Sequence, residues 1–91
     1  ASNDSRSLSY EEEKRAQANI RNTERKIAET ETKIADTEEK ITQIDASLET
    51  CGADFEKARE LFDEKGGLEN ELNSLYEQWN ELTEKLEIIK K

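Results

Sequence analysis

Histidine and proline are both missing from this chain, and glycine occurs only three times in 91 residues. Without histidine, the chain lacks the commonest general base and metal ligand of proteins. Without proline, and with so little glycine, few points can interrupt a long helix. No apolar run approaches the roughly 18 residues that indicate a membrane-spanning helix. These absences argue against an autonomous enzyme and against a transmembrane protein.

Hydrophobic residues are scarce, at 32% of the chain, whereas 41% of the residues are charged. This composition excludes a globular core several layers deep. The net charge of −9 argues against general adhesion to nucleic acid or to an anionic membrane. The single cysteine, Cys51, cannot form an internal disulfide and favours a reducing, cytoplasmic setting. We interpret it as an incidental surface residue, with a reactive thiol as the alternative.

Apolar residues recur with a heptad period in two segments of the chain. Every seventh residue from Ile20 to Leu48 is aliphatic, and from Leu68 to Ile89 apolar residues alternate steps of four and three. This period is typical of coiled coils and argues against disorder, in spite of the high charge. One short interruption at 51–54 separates the segments. The sequence therefore predicts an all-α fold, a two-helix antiparallel intramolecular coiled-coil hairpin.

The hairpin is predicted to occupy residues 9–91, after a polar segment, 1–8, that we interpret as a disordered lead-in or linker. Helix 1 is expected at about 9–50, because Ser9 and Glu12 fit a capping box.

The turn is predicted at 51–54 and helix 2 at about 55–90. Gly52 suits the position with left-handed backbone conformation that closes helix 1, and Asp54 suits the N-cap position of helix 2. Inside helix 2, Gly66-Gly67 predicts a kink or break, since each glycine costs about 1 kcal/mol relative to alanine.

The two seams match when residues whose numbers sum to 102 are paired. Ile27 then meets Leu75, and in the intervening layers a small residue faces a large one, as Thr23 faces Trp79. The same register predicts three polar neighbours across the hairpin: Lys33 with Glu71, Lys40 with Glu64, and Thr37 with Lys65.

No catalytic constellation is found. The chain has no glycine-rich phosphate loop, no nucleophile motif and no set of metal ligands at a recognisable spacing. Carboxylates are plentiful, but acids on the exposed positions of a coiled coil are usually a solvated face. We therefore expect neither catalytic nor metal-binding residues in this domain.

Charge is distributed unevenly along the predicted hairpin. The tip half, residues 36–72, carries 12 acidic and 4 basic residues, whereas the base half is nearly balanced. Basic residues of the base half form a candidate surface for phosphate groups of nucleic acid. The alternative is that they only balance nearby glutamates. The candidate contacts are Lys14, Arg15, Arg21, Arg25, Lys26 and Lys85, with Lys33, Lys90 and Lys91 nearby.

The aromatic residues allow two interpretations each. Phe55 and Phe62 either pack over the turn or form an exposed contact patch at the tip. Trp79 is expected in the seam, with a base-stacking platform as the alternative. Tyr76 at a flanking position either covers the seam or meets a partner.

Residues 72–82, with the sequence LNSLYEQWNEL, resemble the last helix of the C-terminal coiled-coil domain of ABC-F ATPases. That helix commonly carries the pattern L-x-x-L-Y-x-x-W-x-x-L. The segment Leu8-Ser9-Tyr10-Glu11-Glu12 is similar to the L-S-Y segment that follows the second ATPase domain in this family. The resemblance covers about residues 8–89.

This resemblance implies a non-catalytic C-terminal appendage of a soluble tandem ATPase. Family members act on the ribosome as translation factors or resistance proteins, and some C-terminal domains are described as binding DNA. The implied partners are ribosomal RNA or DNA and the parent's ATPase domains, where ATP and Mg²⁺ would bind. We expect a cytoplasmic monomer that contacts neither membrane nor cofactor through this domain.

The sequence is also compatible with two other functions. The hairpin is either a structural spacer or a protein-interaction module that docks through its acidic tip. Alternatively, its heptads pair between chains in a self-associating coiled coil.

Overall fold

The computed structural model describes the backbone of residues 2–90 and the side chains of residues 10–90. It contains two helices, α1 (Ser2–Thr50) and α2 (Phe55–Lys90), joined by a turn at 51–54. The helices pack against each other in an antiparallel hairpin that measures 80 × 15 × 14 Å. The two short dimensions correspond to one layer of paired helices. The predicted all-α hairpin is confirmed.

The start of α1 differs from the prediction. The helix begins at Ser2 and not at Ser9, so residues 2–8 are helical where a disordered lead-in was expected. Once a helix is nucleated, each added residue gains one backbone hydrogen bond, and no proline or glycine stops this extension before Ser9. With 49 residues against 36 in α2, α1 sets the long dimension of the molecule.

The turn has the predicted chemistry. Gly52 has a φ of 59°, in the left-handed region that glycine adopts without strain. Asp54 caps α2, because its Oδ1 accepts a hydrogen bond of 3.1 Å from the backbone N–H of Lys57. The backbone N–H of Asp54 in turn donates to the carbonyl of Cys51 at 3.2 Å. Both Gly52 and Asp54 therefore act as the sequence indicates.

The predicted kink or break at Gly66-Gly67 is absent. Helix α2 continues through both glycines, which are exposed and have open space where a side chain would stand. Their neighbours Lys65 and Leu68 lie half-buried against α1. We attribute the continuity of the helix to this packing, which outweighs the low propensity of two adjacent glycines.

The core is a single seam between the helices. Its most buried hydrophobic residues are Ile34, Ile44 and Leu75, with 8%, 7% and 6% of their surface exposed. Three threonines of α1 are equally buried, and each hydroxyl donates a hydrogen bond of 2.7 Å to the carbonyl four residues earlier. These threonines fit the seam because their polar group is satisfied within their own helix. They are Thr23, Thr30 and Thr37.

The pairing register is displaced by one heptad from the prediction. Trp79 Nε1 lies 3.1 Å from Glu31 Oε1, and Lys65 Nζ lies 2.6 Å from Asp45 Oδ1. In both pairs the residue numbers sum to 110. Each of the two acids directly follows a seam residue, Thr30 or Ile44, so the residue numbers of paired seam residues sum to 109. Thr30 is therefore level with Trp79 and Ile44 with Lys65. The register that sums to 102 is wrong.

The displaced register still places the threonines of the seam opposite large residues. Thr37 is now level with Leu72 rather than Lys65, whereas the layer of Ile34 and Leu75 pairs two large aliphatic residues. A slip of seven residues returns every seam position to the seam, which is why the sequence pattern allowed both registers. The observed register also supplies acidic partners for Lys65 and for the indole N–H of Trp79.

The predicted ion pairs change with the register. Neither Lys33–Glu71 nor Lys40–Glu64 is formed in the described part of the chain. The ion pairs present among the described residues are Lys65–Asp45 and a longer contact of 3.5 Å between Lys90 and Glu24.

Candidate nucleic-acid interface

A groove between the two helices gathers lysines from both of them. It has a volume of about 420 Å³ and contains Lys26 and Lys33 of α1 and Lys85 of α2. We call these three residues the lysine groove. Its floor is formed by the seam residues Thr30 and Leu82.

The heptad repeat explains why these residues meet. Lys26 and Lys33 are seven residues apart and lie on one flank of α1. In the observed register, Lys85 of α2 is level with the same stretch of α1. Within the described residues, none of the three ammonium groups forms an ion pair.

The groove is not purely basic. Glu29 and Glu81 line it together with Gln78, so its three cationic groups stand beside two carboxylates. These six polar or charged side chains around the floor can bind a phosphate group through the lysines, while the acids restrict where the phosphate lies. Lys33, which was grouped with the predicted contacts, belongs to this site, and so does Gln78, which was not predicted. The available signal was the seven-residue spacing of Lys33 from Lys26 and of Gln78 from Lys85.

The other predicted contacts lie apart from the groove. Lys14 and Arg15 line a shallow surface on α1, together with Glu11 and Ala18. They are about 17 Å from Lys26 along the helix axis, at ~1.5 Å per residue. Arg21 and Arg25 are exposed on α1 between these two places.

The structure therefore brings Lys26 and Lys85 together and arranges the remaining basic residues along α1. Lys90 is held by Glu24 at 3.5 Å, which partly neutralises its charge. Lys91 lies outside the described residues.

The aromatic residues near the tip are exposed. Phe55 is 82% exposed and Phe62 is 61% exposed, so neither packs over the turn. The displaced register explains the position of Phe55, because Cys51 is level with Ala58 and the first turn of α2 extends beyond the end of α1. Tyr76 is 42% exposed, which leaves much of its ring available to a partner.

Trp79 and Cys51 occupy half-buried positions. Trp79 lies on the seam, as predicted, but opposite Thr30 and not Thr23. The Cys51 Sγ lies 3.2 Å from the carbonyl oxygen of Leu48, to which its S–H donates. Among the described side chains, no group of three or more acidic or thiol residues has the arrangement of a metal site.

Between residues 2 and 90, neither helix combines the length and apolar character that crossing a membrane requires. No curated protein matches the chain, and no solved structure does. The family model of the ABC transporter C-terminal domain matches residues 7–84. That match covers the turn and most of both helices. The chain thus belongs to the ABC transporter C-terminal domain family and is a helical C-terminal appendage of an ABC protein.

Proposed function

We propose that this hairpin is the non-catalytic C-terminal appendage of an ABC-F-type ATPase and that it contacts ribosomal RNA or DNA. The observation that carries the proposal is the lysine groove, where Lys26, Lys33 and Lys85 converge from two helices. Convergent ammonium groups favour a phosphate backbone, because each neutralised phosphate releases bound counterions.

The basic residues of α1 extend the proposed contact. Arg21 and Arg25 are exposed near the groove, and Lys14 and Arg15 lie further along the same helix. A nucleic-acid strand that follows α1 from the groove would meet these side chains in turn. The strongly acidic tip would point away from it, because like charges repel the phosphates.

The family resemblance implies the cellular setting of the hairpin. The parent protein is a cytoplasmic ATPase whose own domains bind ATP and Mg²⁺ and adjoin the hairpin. The hairpin itself acts as a monomer and holds no cofactor.

The first test is co-sedimentation of the protein with bacterial ribosomes, with duplex DNA as a competitor. Pelleting that DNA does not displace supports a specific ribosomal site. Displacement by DNA supports general phosphate binding through the same residues. Absence of pelleting in both conditions contradicts the proposal and favours a structural spacer.

A pair of charge-reversal variants locates the contact. Lys26→Glu with Lys85→Glu is expected to abolish binding, whereas Lys57→Glu with Arg59→Glu, at exposed positions near the tip, makes the same charge change away from the groove. For the neutral variant Lys26→Gln with Lys85→Gln, the slope of log affinity against log salt should fall by about one per lysine removed. Equal losses in both charge-reversal variants would show that total charge, and not the lysine groove, governs binding.

A further inference from the structure

The flank of the hairpin opposite the lysine groove carries a row of exposed aromatic side chains. Phe55, Phe62 and Tyr76 are separated by seven and fourteen residues, so they share one face of α2. Their exposed fractions are 82%, 61% and 42%. Together with Trp79 they include four of the five aromatic residues of the chain. We call this face the aromatic flank.

Acidic residues border the aromatic flank on the side of α1. They recur every seven residues, next to the seam, and a fifth acid, Glu69, stands on α2 between Phe62 and Tyr76. The contacts of Glu31 with Trp79 and of Asp45 with Lys65 show that this border faces α2. The four acids of α1 are Glu24, Glu31, Glu38 and Asp45.

The two flanks therefore have opposite character. Along α1, one flank of the seam presents Lys26, Lys33 and Lys40, and the other flank presents the row of acids. The basic residues close to the acidic row, Lys65 and Lys90, are already bound to carboxylates. An apolar surface bordered by acids fits a partner that is both apolar and basic.

A notch in the aromatic flank has the chemistry of a cation site. It has a volume of about 350 Å³ and is lined by Glu31, Ile34, Tyr76 and Trp79. The hydrogen bond from Trp79 Nε1 to Glu31 Oε1, at 3.1 Å, holds the indole and the carboxylate in place. Two aromatic rings beside a carboxylate favour a guanidinium or ammonium group, through cation–π attraction and charge.

We propose that a basic amphipathic helix of a partner protein docks along the aromatic flank as a third helix. Its apolar residues cover Phe55 and Phe62, and one of its arginine or lysine side chains enters the notch beside Glu31. From Phe55 to Tyr76 the flank extends about 31 Å, at ~1.5 Å per residue, which is the length of a partner helix of about 21 residues. This surface is separate from the lysine groove and does not depend on the nucleic-acid function.

The test uses a designed peptide of about 21 residues as the probe, with leucine at two positions of each heptad and arginine at the flanking positions. Trp79 is the single tryptophan of the chain, so its fluorescence reports occupation of the notch. We expect a saturable change in Trp79 emission and an increase in helical circular dichroism. A scrambled peptide of the same composition should bind much more weakly.

Variants of the protein separate the aromatic flank from the general attraction of an acidic protein. Phe62→Ser with Tyr76→Ser should weaken peptide binding about tenfold or more, because buried aromatic anchors dominate such interfaces. Glu31→Gln removes one charge but keeps an acceptor for Trp79, and it should weaken binding about threefold or more. The matched control is Glu81→Gln in the lysine groove, which makes the same charge change and should leave binding unchanged.

Equal binding by the Phe62→Ser, Tyr76→Ser variant and the wild type would overturn the proposal. An equal loss of peptide affinity in the Glu81→Gln and Glu31→Gln variants would also overturn it, since total charge would then explain the binding. Light scattering tests for a second copy as the occupant. A dimer that the Phe62→Ser, Tyr76→Ser variant dissociates would replace the partner helix with self-association.

Discussion

The indole N–H of Trp79 donates a hydrogen bond to Glu31, 48 residues away in the sequence and on the other helix. This contact ties the middle of α2 to the middle of α1. Together with the ion pair between Lys65 and Asp45, it distinguishes the observed register from one displaced by a heptad. The register in turn determines which side chains form the lysine groove and which form the aromatic flank.

The register is tested by cysteine cross-linking in a Cys51→Ser background. Ile34→Cys with Leu75→Cys should form a disulfide readily, because these buried residues lie in the same layer. Ile34→Cys with Leu68→Cys should not, since Leu68 is about 10 Å further along α2, at ~1.5 Å per residue. Electrophoresis without reductant distinguishes the two variants. Preferential cross-linking of the second pair would restore the register that sums to 102.

The glycines of α2 and the glycine of the turn should respond in opposite directions to alanine. Gly66→Ala and Gly67→Ala each have open space for the methyl group and should raise the free energy of unfolding by about 0.5–1 kcal/mol. Gly52→Ala should lower it by roughly 1 kcal/mol, because φ is positive there. Urea denaturation followed by circular dichroism measures all three. A loss of stability in the Gly66→Ala variant would indicate that a break in α2 is required.

The cap of α2 contributes measurably to the stability of the tip. Asp54→Ala removes the acceptor for the Lys57 N–H and should lower the free energy of unfolding by about 1 kcal/mol. Asp54→Asn keeps an acceptor and serves as the control, with a much smaller loss expected. Urea denaturation compares the two variants. Similar losses in both would show that the charge of Asp54, and not its capping hydrogen bond, matters.

The ion pair of Lys65 makes stability depend on alkaline pH. The hydrogen bond to Asp45, assisted by the charges of Asp45 and Glu69, raises the pKa of Lys65 above its ordinary value of 10.5. A raised pKa in the folded state means that the stabilisation is complete below the ordinary value and is lost as pH rises through the folded-state value.

Lys65→Met should therefore lose less stability than the wild type as pH increases beyond about 10.5, the ordinary lysine value. Lys40→Met is the control, because Lys40 is exposed and forms no ion pair in the described part of the chain. Thermal unfolding at a series of alkaline pH values gives the comparison. Parallel curves for Lys65→Met and the wild type would contradict the proposed role of this pair.

Much of the hairpin follows from local sequence signals. The heptad spacing from Ile20 to Leu48 predicts one helical seam, and the spacing from Leu68 to Ile89 predicts the other. Gly52 and Asp54 predict the turn, because the preference of glycine for the end of a helix and of aspartate for the N-cap depends on only a few neighbouring residues. The basic character of the residues around Lys26 is equally visible in the sequence, although their convergence is not.

The sequence by itself determined two helices, their apolar faces and the turn, because periodicity and capping act over short distances along the chain. Only the tertiary structure decided the register, since a slip of seven residues keeps every apolar residue in the seam. The choice rests on contacts between distant residues, such as Trp79 with Glu31 and Lys65 with Asp45. The same choice brought Lys85 beside Lys26 and left Phe55 exposed beyond the end of α1. Packing against α1 also kept α2 continuous through Gly66-Gly67, where helix propensity alone predicted a break.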